Sequence, residues 1–408
     1  MNEQCEVAII GAGPSGSVAA ALLRRAGHDV VVLEQSHFPR FSIGESLLPQ
    51  CMEFVAEAGM LGAVNAAGYQ FKNGAAFTRN GVGTAFDFTR KFSPGPGTTF
   101  QVQRAHFDHL LAKQAQAAGA DIRFGQRITA FDYTEDAQPR LTYSDERGAS
   151  HTLQSRFVLD ASGFGRVLPR LLDLERPSDF PVRRSLFTHV QDNIETPHYD
   201  RNKILIAVHP QHRDVWYWLI PFSHGRSSLG VVAAQSFFDL DQHSPAELLK
   251  QAVGACPELA ELLVRAEFDT PVNTLGGYAS KVKSLWGKGF VLLGNAGEFL
   301  DPVFSSGVTI AMKSASLAAP LVSRELQGQT VNWDTDYARA LQRGIDTFRT
   351  YVTAWYDGSF QDVIFSARQQ PEVREMICSI LAGYAWDDNN PFVRHPARLQ
   401  TLVELCKN

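Results

Sequence analysis

The chain predicts an α/β fold: a dinucleotide-binding domain of Rossmann type, interrupted by a mixed β-sheet domain and followed by a C-terminal helical segment. Three observations carry this. An apolar run at residues 5–10 ends in Gly11-Ala12-Gly13-Pro14-Ser15-Gly16 and leads into an Ala/Leu-rich stretch. Segments of period-two alternation fall between pieces of helical spacing. From about Trp333 the apolar residues recur every three or four positions.

Taken in order, residues 5–10 read as a buried parallel strand, residues 17–26 as a helix stopped by Gly27, and residues 28–33 as the next strand, so that 5–34 form one βαβ unit. A helix at 104–119, strand-and-turn units at 157–165 and 289–297, and a helix at 307–326 complete the nucleotide domain. Residues 69–79, 203–209, 214–222 and 227–234 alternate with period two and predict a mixed sheet with one covered face. The nucleotide domain is thus expected at 1–60, 100–180 and 270–330, the sheet domain at 61–99 and 181–269, and the helical segment at 331–408. In the last, Tyr337, Leu341, Ile345, Phe348, Val352 and Trp355 form the apolar stripe. Ser93-Pro94-Gly95-Pro96-Gly97 reads as a surface connection.

Composition narrows the class. A formal charge of -5 leaves no basic footprint for nucleic acid. Cys5, Cys51, Cys256, Cys378 and Cys406 are scattered, with no CxxC pair and no disulfide framework, which suits a reducing cytoplasm. Met1-Asn2-Glu3-Gln4-Cys5 has neither the basic region nor the cleavage site of a signal peptide. No apolar stretch reaches the roughly 18 residues of a membrane span. His106 and His109 lie three apart without further ligands, so no metal site is expected. No GxSxG elbow supports acyl transfer.

In the glycine turn, Gly11 makes the tight turn, Gly13 lets the backbone approach a pyrophosphate, and Gly16 allows close helix–strand packing. The helix start at Ser15 offers free N–H groups to phosphate. Glu34, at the end of the second strand, can accept the ribose hydroxyls. NAD and FAD share this fingerprint, so the motif alone leaves both open. Gly81-Val82-Gly83 and Gly163-Phe164-Gly165 do not complete a second one.

Further segments decide more: Gly44-Glu45-Ser46-Leu47-Leu48-Pro49, Phe71-Lys72-Asn73-Gly74, Trp216-Tyr217-Trp218-Leu219-Ile220-Pro221 and Phe299-Leu300-Asp301-Pro302-Val303-Phe304-Ser305-Ser306-Gly307. With the turns at 157–163 and 293–297, the chain resembles flavoproteins of the p-hydroxybenzoate-hydroxylase type, and among them the flavin-dependent halogenases. The resemblance implies FAD, held by Gly11, Gly13, Ser15, Gly16, Glu34, Arg40, Arg104, Asp160, Gly294, Asn295, Pro302 and Gly307. Asn295 departs from the Asp of most relatives; its amide oxygen can still accept from a ribityl hydroxyl, but one negative charge is lost.

Carried over residue by residue, the resemblance implies FADH2 from a separate flavin reductase, O2, and chloride or bromide held by the backbone N–H groups of Ser306 and Gly307 at a helix start. Trp216 and Trp218, on one strand face, would wall an organic substrate off from the flavin. Lys72 would carry the oxidised halogen, with Glu45 as a further catalytic residue. A desolvated lysine loses proton affinity, so its amine could form a haloamine or hydrogen-bond hypohalous acid; both stay open. Phe304 stands where tryptophan halogenases carry a glutamate, which points to an electron-rich phenol or pyrrole. The short tail points to a ring tethered to an acyl or peptidyl carrier protein, in natural-product biosynthesis. Trp355, Tyr356 and Phe360 line either the substrate end or the core. Two other readings remain: a monooxygenase or reductase of the same fold, and a non-catalytic flavin- or carrier-binding subunit.

Overall fold

The computed structural model describes residues 3–367 and 370–407. Met1 and Asn2, with which the signal-peptide reading begins, and Asn408, the last residue of the expected helical segment, lie outside them. An eight-stranded sheet carries the strands Phe290–Leu292, Ser150–Asp160, Glu3–Ile10, Val30–Leu33 and Asp121–Arg123 side by side in parallel. Alternation along Glu3–Ile10 divides its side chains between two cores. Val7 and Ile9 pack with the helices, and Ala8 and Ile10 with Leu141, Leu153 and Phe290. Helix Pro14–Arg25 lies against helix Ser306–Leu326, and its residues Ala19, Ala20 and Ala21 are fully buried.

The second sheet has seven strands in the order Asn273–Gly276, Arg183–Gln191, Arg226–Ala234, Trp216–Pro221, Lys203–Val208, Gly74–Arg79 and Val82–Asp87. All pairs are antiparallel except Lys203–Val208 with Gly74–Arg79, so the sheet is mixed. It extends to Gly276, past the expected limit at 269. The expectation of one covered face needs correction, because both faces are covered. Trp216, Trp218 and Ile220 belong to the main core, whereas Tyr217 and Leu219 pack under helices Pro245–Gly254 and Pro257–Leu262. Amphipathic helices supplied by the 245–262 stretch close the face that alternation alone leaves to solvent.

Residues 69–79 form two strands instead of one. The break is at Asn73, whose N–H donates to Asn202 O (2.9 Å) and whose carbonyl accepts from Phe88 N–H (2.7 Å). Gln70–Lys72 then pairs with Thr99–Gln101 in a separate small sheet. The 93–97 loop runs largely at the surface, as expected, and is pinned there: Lys91 Nζ donates to Ser93 O and Gly95 O, Ser93 N–H to Ser379 Oγ, and Tyr384 Oη to Pro96 O.

The C-terminal stripe is buried as its spacing predicts, from Tyr337 through Trp355. It begins as a wide π-helical turn, Trp333–Arg339, that runs into helix Ala340–Tyr356. Tyr337 Oη donates to Leu292 O at 2.5 Å, which ties the segment to the first sheet.

Candidate active site

Residues of both sheets line a cavity of about 340 Å³. Gly11 has φ +95, and a Cβ there would stand 2.8 Å from Ala161 O. At Gly16 a Cβ would fall 1.9 Å from Gly11 O, so strand and helix meet here without room for a side chain. At Gly13 the protein leaves ordinary space, with only Arg40 Nη2 at 3.6 Å. The protein itself does not demand glycine there, and the position borders the cavity. Gly11, Gly13, Ser15, Glu34, Arg40, Arg104, Asn295, Pro302 and Gly307 all line the cavity; Gly16, Asp160, Gly294 and Ser306 do not.

Each of those four has a visible role in holding the walls. Asp160 is fully buried, with its carboxyl pushed up by desolvation, and accepts from the N–H groups of Ser162 (2.9 Å) and Leu168 (2.7 Å). It ties the turn together and does not face the cavity, unlike the cofactor contact expected of it. Gly294 has φ +51 and packs on Ala311, whose Cα would be 2.8 Å from an added Cβ. Ser306 opens the helix just behind Ser305, which lines the cavity and takes a left-handed φ of 56.

Arg104 and Arg40 are set by a residue the sequence did not single out. Asp108 accepts from Arg104 Nε and Nη2 (2.7 and 3.0 Å) and from Arg40 Nη1 (3.1 Å). The i,i+4 spacing of Arg104 and Asp108 on one helix was the available signal. Glu34 Oε2 accepts from Ala12 N–H and Oε1 from Ser36 N–H, both at 2.9 Å. Asn295 Oδ1 is buried without a partner among the described residues, an acceptor that a ribityl hydroxyl would satisfy. Together with the glycine turn and the free N–H groups of helix Pro14–Arg25, this donor and acceptor set fits FAD.

The wall is built from one strand face. Trp216, Trp218 and Ile220 line the cavity, with the indoles 5.9 Å apart. Trp218 Nε1 donates to Ser228 Oγ (3.0 Å), and a Cβ at Gly230 would lie 2.2 Å from the Trp218 ring. Trp216 Nε1 donates to Tyr356 Oη (3.0 Å), which donates to Asp301 Oδ2 (2.8 Å). Asp301 also accepts from Val303 N–H (3.0 Å), and burial pushes its carboxyl up to about 6. Of the three aromatic residues left between core and substrate end, Trp355 and Phe360 are core, and Tyr356 anchors the wall.

Lys72 is 0 % exposed. Nζ donates to Ser46 Oγ and Leu47 O, both at 2.7 Å, and sits 5.5 Å from the Phe88 ring centre. Desolvation pushes its pKa down to about 7. A neutral amine has two hydrogens, and both acceptors are in place for them, so its lone pair stays free. Ser46 also lines the cavity, so one residue separates the two sites. Glu45, beside it, lines the cavity with Oε2 buried and unpartnered among the described residues, while Oε1 pairs with His189 Nε2 (2.7 Å). Nothing in sequence pointed to His189, 144 positions away. Phe304 meets Trp355 and Phe360 edge-on at 5.9 and 5.6 Å.

Among the described residues no group of three His, Cys, Asp or Glu could hold a metal, and His106 Nδ1 is taken by Tyr69 Oη (2.7 Å). All five cysteines are free, and no described helix is long and apolar enough to cross a membrane.

The model of the FAD binding domain family matches residues 4–340. The chain is 30% identical over 335 residues to a tryptophan 2-halogenase from Chondromyces crocatus, a match covering 79% of this chain and 62% of that one. It is 27% identical to a 1H-pyrrole-2-carbonyl-[peptidyl-carrier protein] chlorinase from Pseudomonas fluorescens over 93% of this chain and 89% of that protein. A crystal structure of a flavoprotein/dehydrogenase from Cytophaga hutchinsonii superposes with TM-score 0.96 at 43% identity, covering 99% of each chain. With halogenases among its curated relatives and the family model spanning most of its length, the chain belongs to the FAD binding domain family.

Proposed function

We propose that the chain halogenates an electron-rich aromatic ring, oxidising halide in the cavity and using the product at Lys72. Bound as FADH2 from a separate reductase, the cofactor supplies, with O2, the oxidising power that turns chloride or bromide into hypohalous acid. The N–H group of Gly307, which lines the cavity in the first turn of a 21-residue helix, would hold the halide, with the Ser306 N–H just behind it adding to the positive helix end. Trp216, Trp218 and Ile220 keep an organic ring out of the cavity and water away from the oxidant.

The observation that carries this reading is Lys72. At pH above about 7 its amine is neutral, its two hydrogens are directed to Ser46 and Leu47, and its lone pair is left to take or orient the electrophilic halogen. The apolar setting of Phe304 supplies no carboxylate, which suits a phenol or pyrrole that needs no strong base. The chlorinase relative, named for a pyrrole on a peptidyl carrier, supports a carrier-tethered ring here.

The test supplies FAD, a flavin reductase, NADH, O2 and bromide with a pyrrole or phenol, free and carrier-bound, and reads products by mass spectrometry. A brominated product lost in Lys72→Ala is expected. The 43% identity to the Cytophaga hutchinsonii flavoprotein/dehydrogenase favours a second reading, a dehydrogenase or monooxygenase of the same fold. A hydroxylated or dehydrogenated product would select it.

A further inference from the structure

Proton stoichiometry sets a demand that Lys72 and the wall do not meet. Forming hypohalous acid balances as FADH2 + O2 + X− + H+ giving FAD + HOX + H2O, so each turnover takes up one proton. Hydroxylation of a substrate, FADH2 + O2 + SH giving FAD + SOH + H2O, takes up none. The proton must enter a cavity whose inner wall is buried.

Two carboxylates line that cavity. Glu34 has each oxygen on a backbone N–H, from Ala12 and Ser36. Glu45 has a free one: its side chain is 1% exposed, Oε2 has no partner among the described residues, and Oε1 is 2.7 Å from His189 Nε2. His189 reaches solvent in part. Its side chain is 18% exposed and lies between the rings of Phe41 (5.8 Å) and Phe222 (5.1 Å), with Phe41 itself exposed. Its backbone is fixed by Thr270, whose Oγ1 accepts from the His189 N–H at 3.1 Å. The other charges near the pair are Asp269, which acts on His189 and is neutralised by Arg226, then Arg104, bonded to Gly44 O, and Lys72 behind Ser46.

We propose that His189 and Glu45 form the proton entrance to the cofactor cavity. The inference rests on the halogenase reading. His189 passes its Nε2 proton to Glu45 Oε1; the neutral carboxyl turns to present it to the cavity and gives it to the oxygen that leaves as water. Glu45 is then a carboxylate again, and His189 is recharged from solvent. His189 acts through Glu45 and touches no reacting atom, so it is a positioning residue for the proton.

The experiment compares wild type, His189→Gln and Glu45→Gln, loaded with reduced flavin and given O2 and bromide. Bromination of a phenol, hydrogen peroxide release and proton uptake against a pH indicator are all followed. Wild type should take up one proton per brominated product. In His189→Gln bromination should fall at least about tenfold, with O2 diverted to hydrogen peroxide, and should recover on adding imidazole buffer or lowering the pH. FAD binding to His189→Gln, measured by quenching of flavin fluorescence, should be unchanged. In cofactor-free protein the ring-nitrogen chemical shifts of His189 should move on Glu45→Gln. Wild-type bromination rates in His189→Gln across neutral pH, or His189 shifts indifferent to Glu45→Gln, would overturn the entrance alone. A wild type that makes no hypohalous acid would overturn the halogenase reading and this inference with it.

Discussion

Replacing Lys72 by methionine should flatten the dependence of stability on pH between about 7 and about 10.5. Met keeps a chain of similar length and removes the charge. In the native protein the Lys72 amine titrates near about 7 in place of the ordinary 10.5, because its ammonium form is desolvated. Between those values the unfolded chain binds one proton more than the native one, so wild-type stability rises with pH across the window. Each pH unit contributes at most about 1.4 kcal/mol, which puts the ceiling for the whole window near about 5 kcal/mol. The lost hydrogen bonds to Ser46 and Leu47, each about 1 kcal/mol, offset the Met variant by a constant and drop out of the slope. Urea unfolding of both proteins at a series of pH values gives the difference directly. It should grow in favour of wild type as pH rises. Parallel curves would mean that Lys72 stays charged through neutrality, and a neutral amine could no longer be invoked.

Asp301→Asn tests the opposite sign. Burial raises this carboxyl from 3.8 to about 6, so wild type loses stability as pH rises through that interval. The variant's thermal midpoint should gain on wild type there, by up to about 3 kcal/mol in stability. Tyr356→Phe removes the link between Trp216 Nε1 and Asp301 Oδ2 and should cost about 1–3 kcal/mol. It should also raise hydroxylated by-products as the wall loosens; unchanged stability and products would remove Tyr356 from the wall. Gly16→Ala places a Cβ 1.9 Å from Gly11 O and should cost about 1–3 kcal/mol with loss of FAD affinity, read by urea unfolding and flavin fluorescence.

Local pattern made much of the fold legible. The βαβ unit, the strand Trp216–Pro221 and the C-terminal stripe each follow from spacing, because a buried face needs apolar residues at a fixed period. The Asn73 break was not legible. Residues 69–79 alternate evenly, and only Asn202 and Phe88, distant in sequence, take the hydrogen bonds that split the run. At Lys72 the motif marked the position while residue type pointed the wrong way: the lysine is buried and its neighbour Phe71 is exposed. That inversion exists because Ser46 and Leu47 supply polar acceptors inside. The roles of His189, Asp301 and Tyr356 were not legible, since the bonds that define them, His189 to Glu45, Trp216 to Tyr356 and Tyr356 to Asp301, join elements far apart in the chain.

The most direct measurement is the coupling of flavin oxidation to bromination in Lys72→Met. Oxidant formed beside the cofactor and consumed at a separate amine predicts that the variant, reduced and exposed to O2 and bromide, oxidises flavin at the wild-type rate. Brominated ring should meanwhile fall at least about a hundredfold. If flavin oxidation and bromination instead fell together, or bromination persisted, the two chemistries would share one place and Lys72 would have no part in delivery.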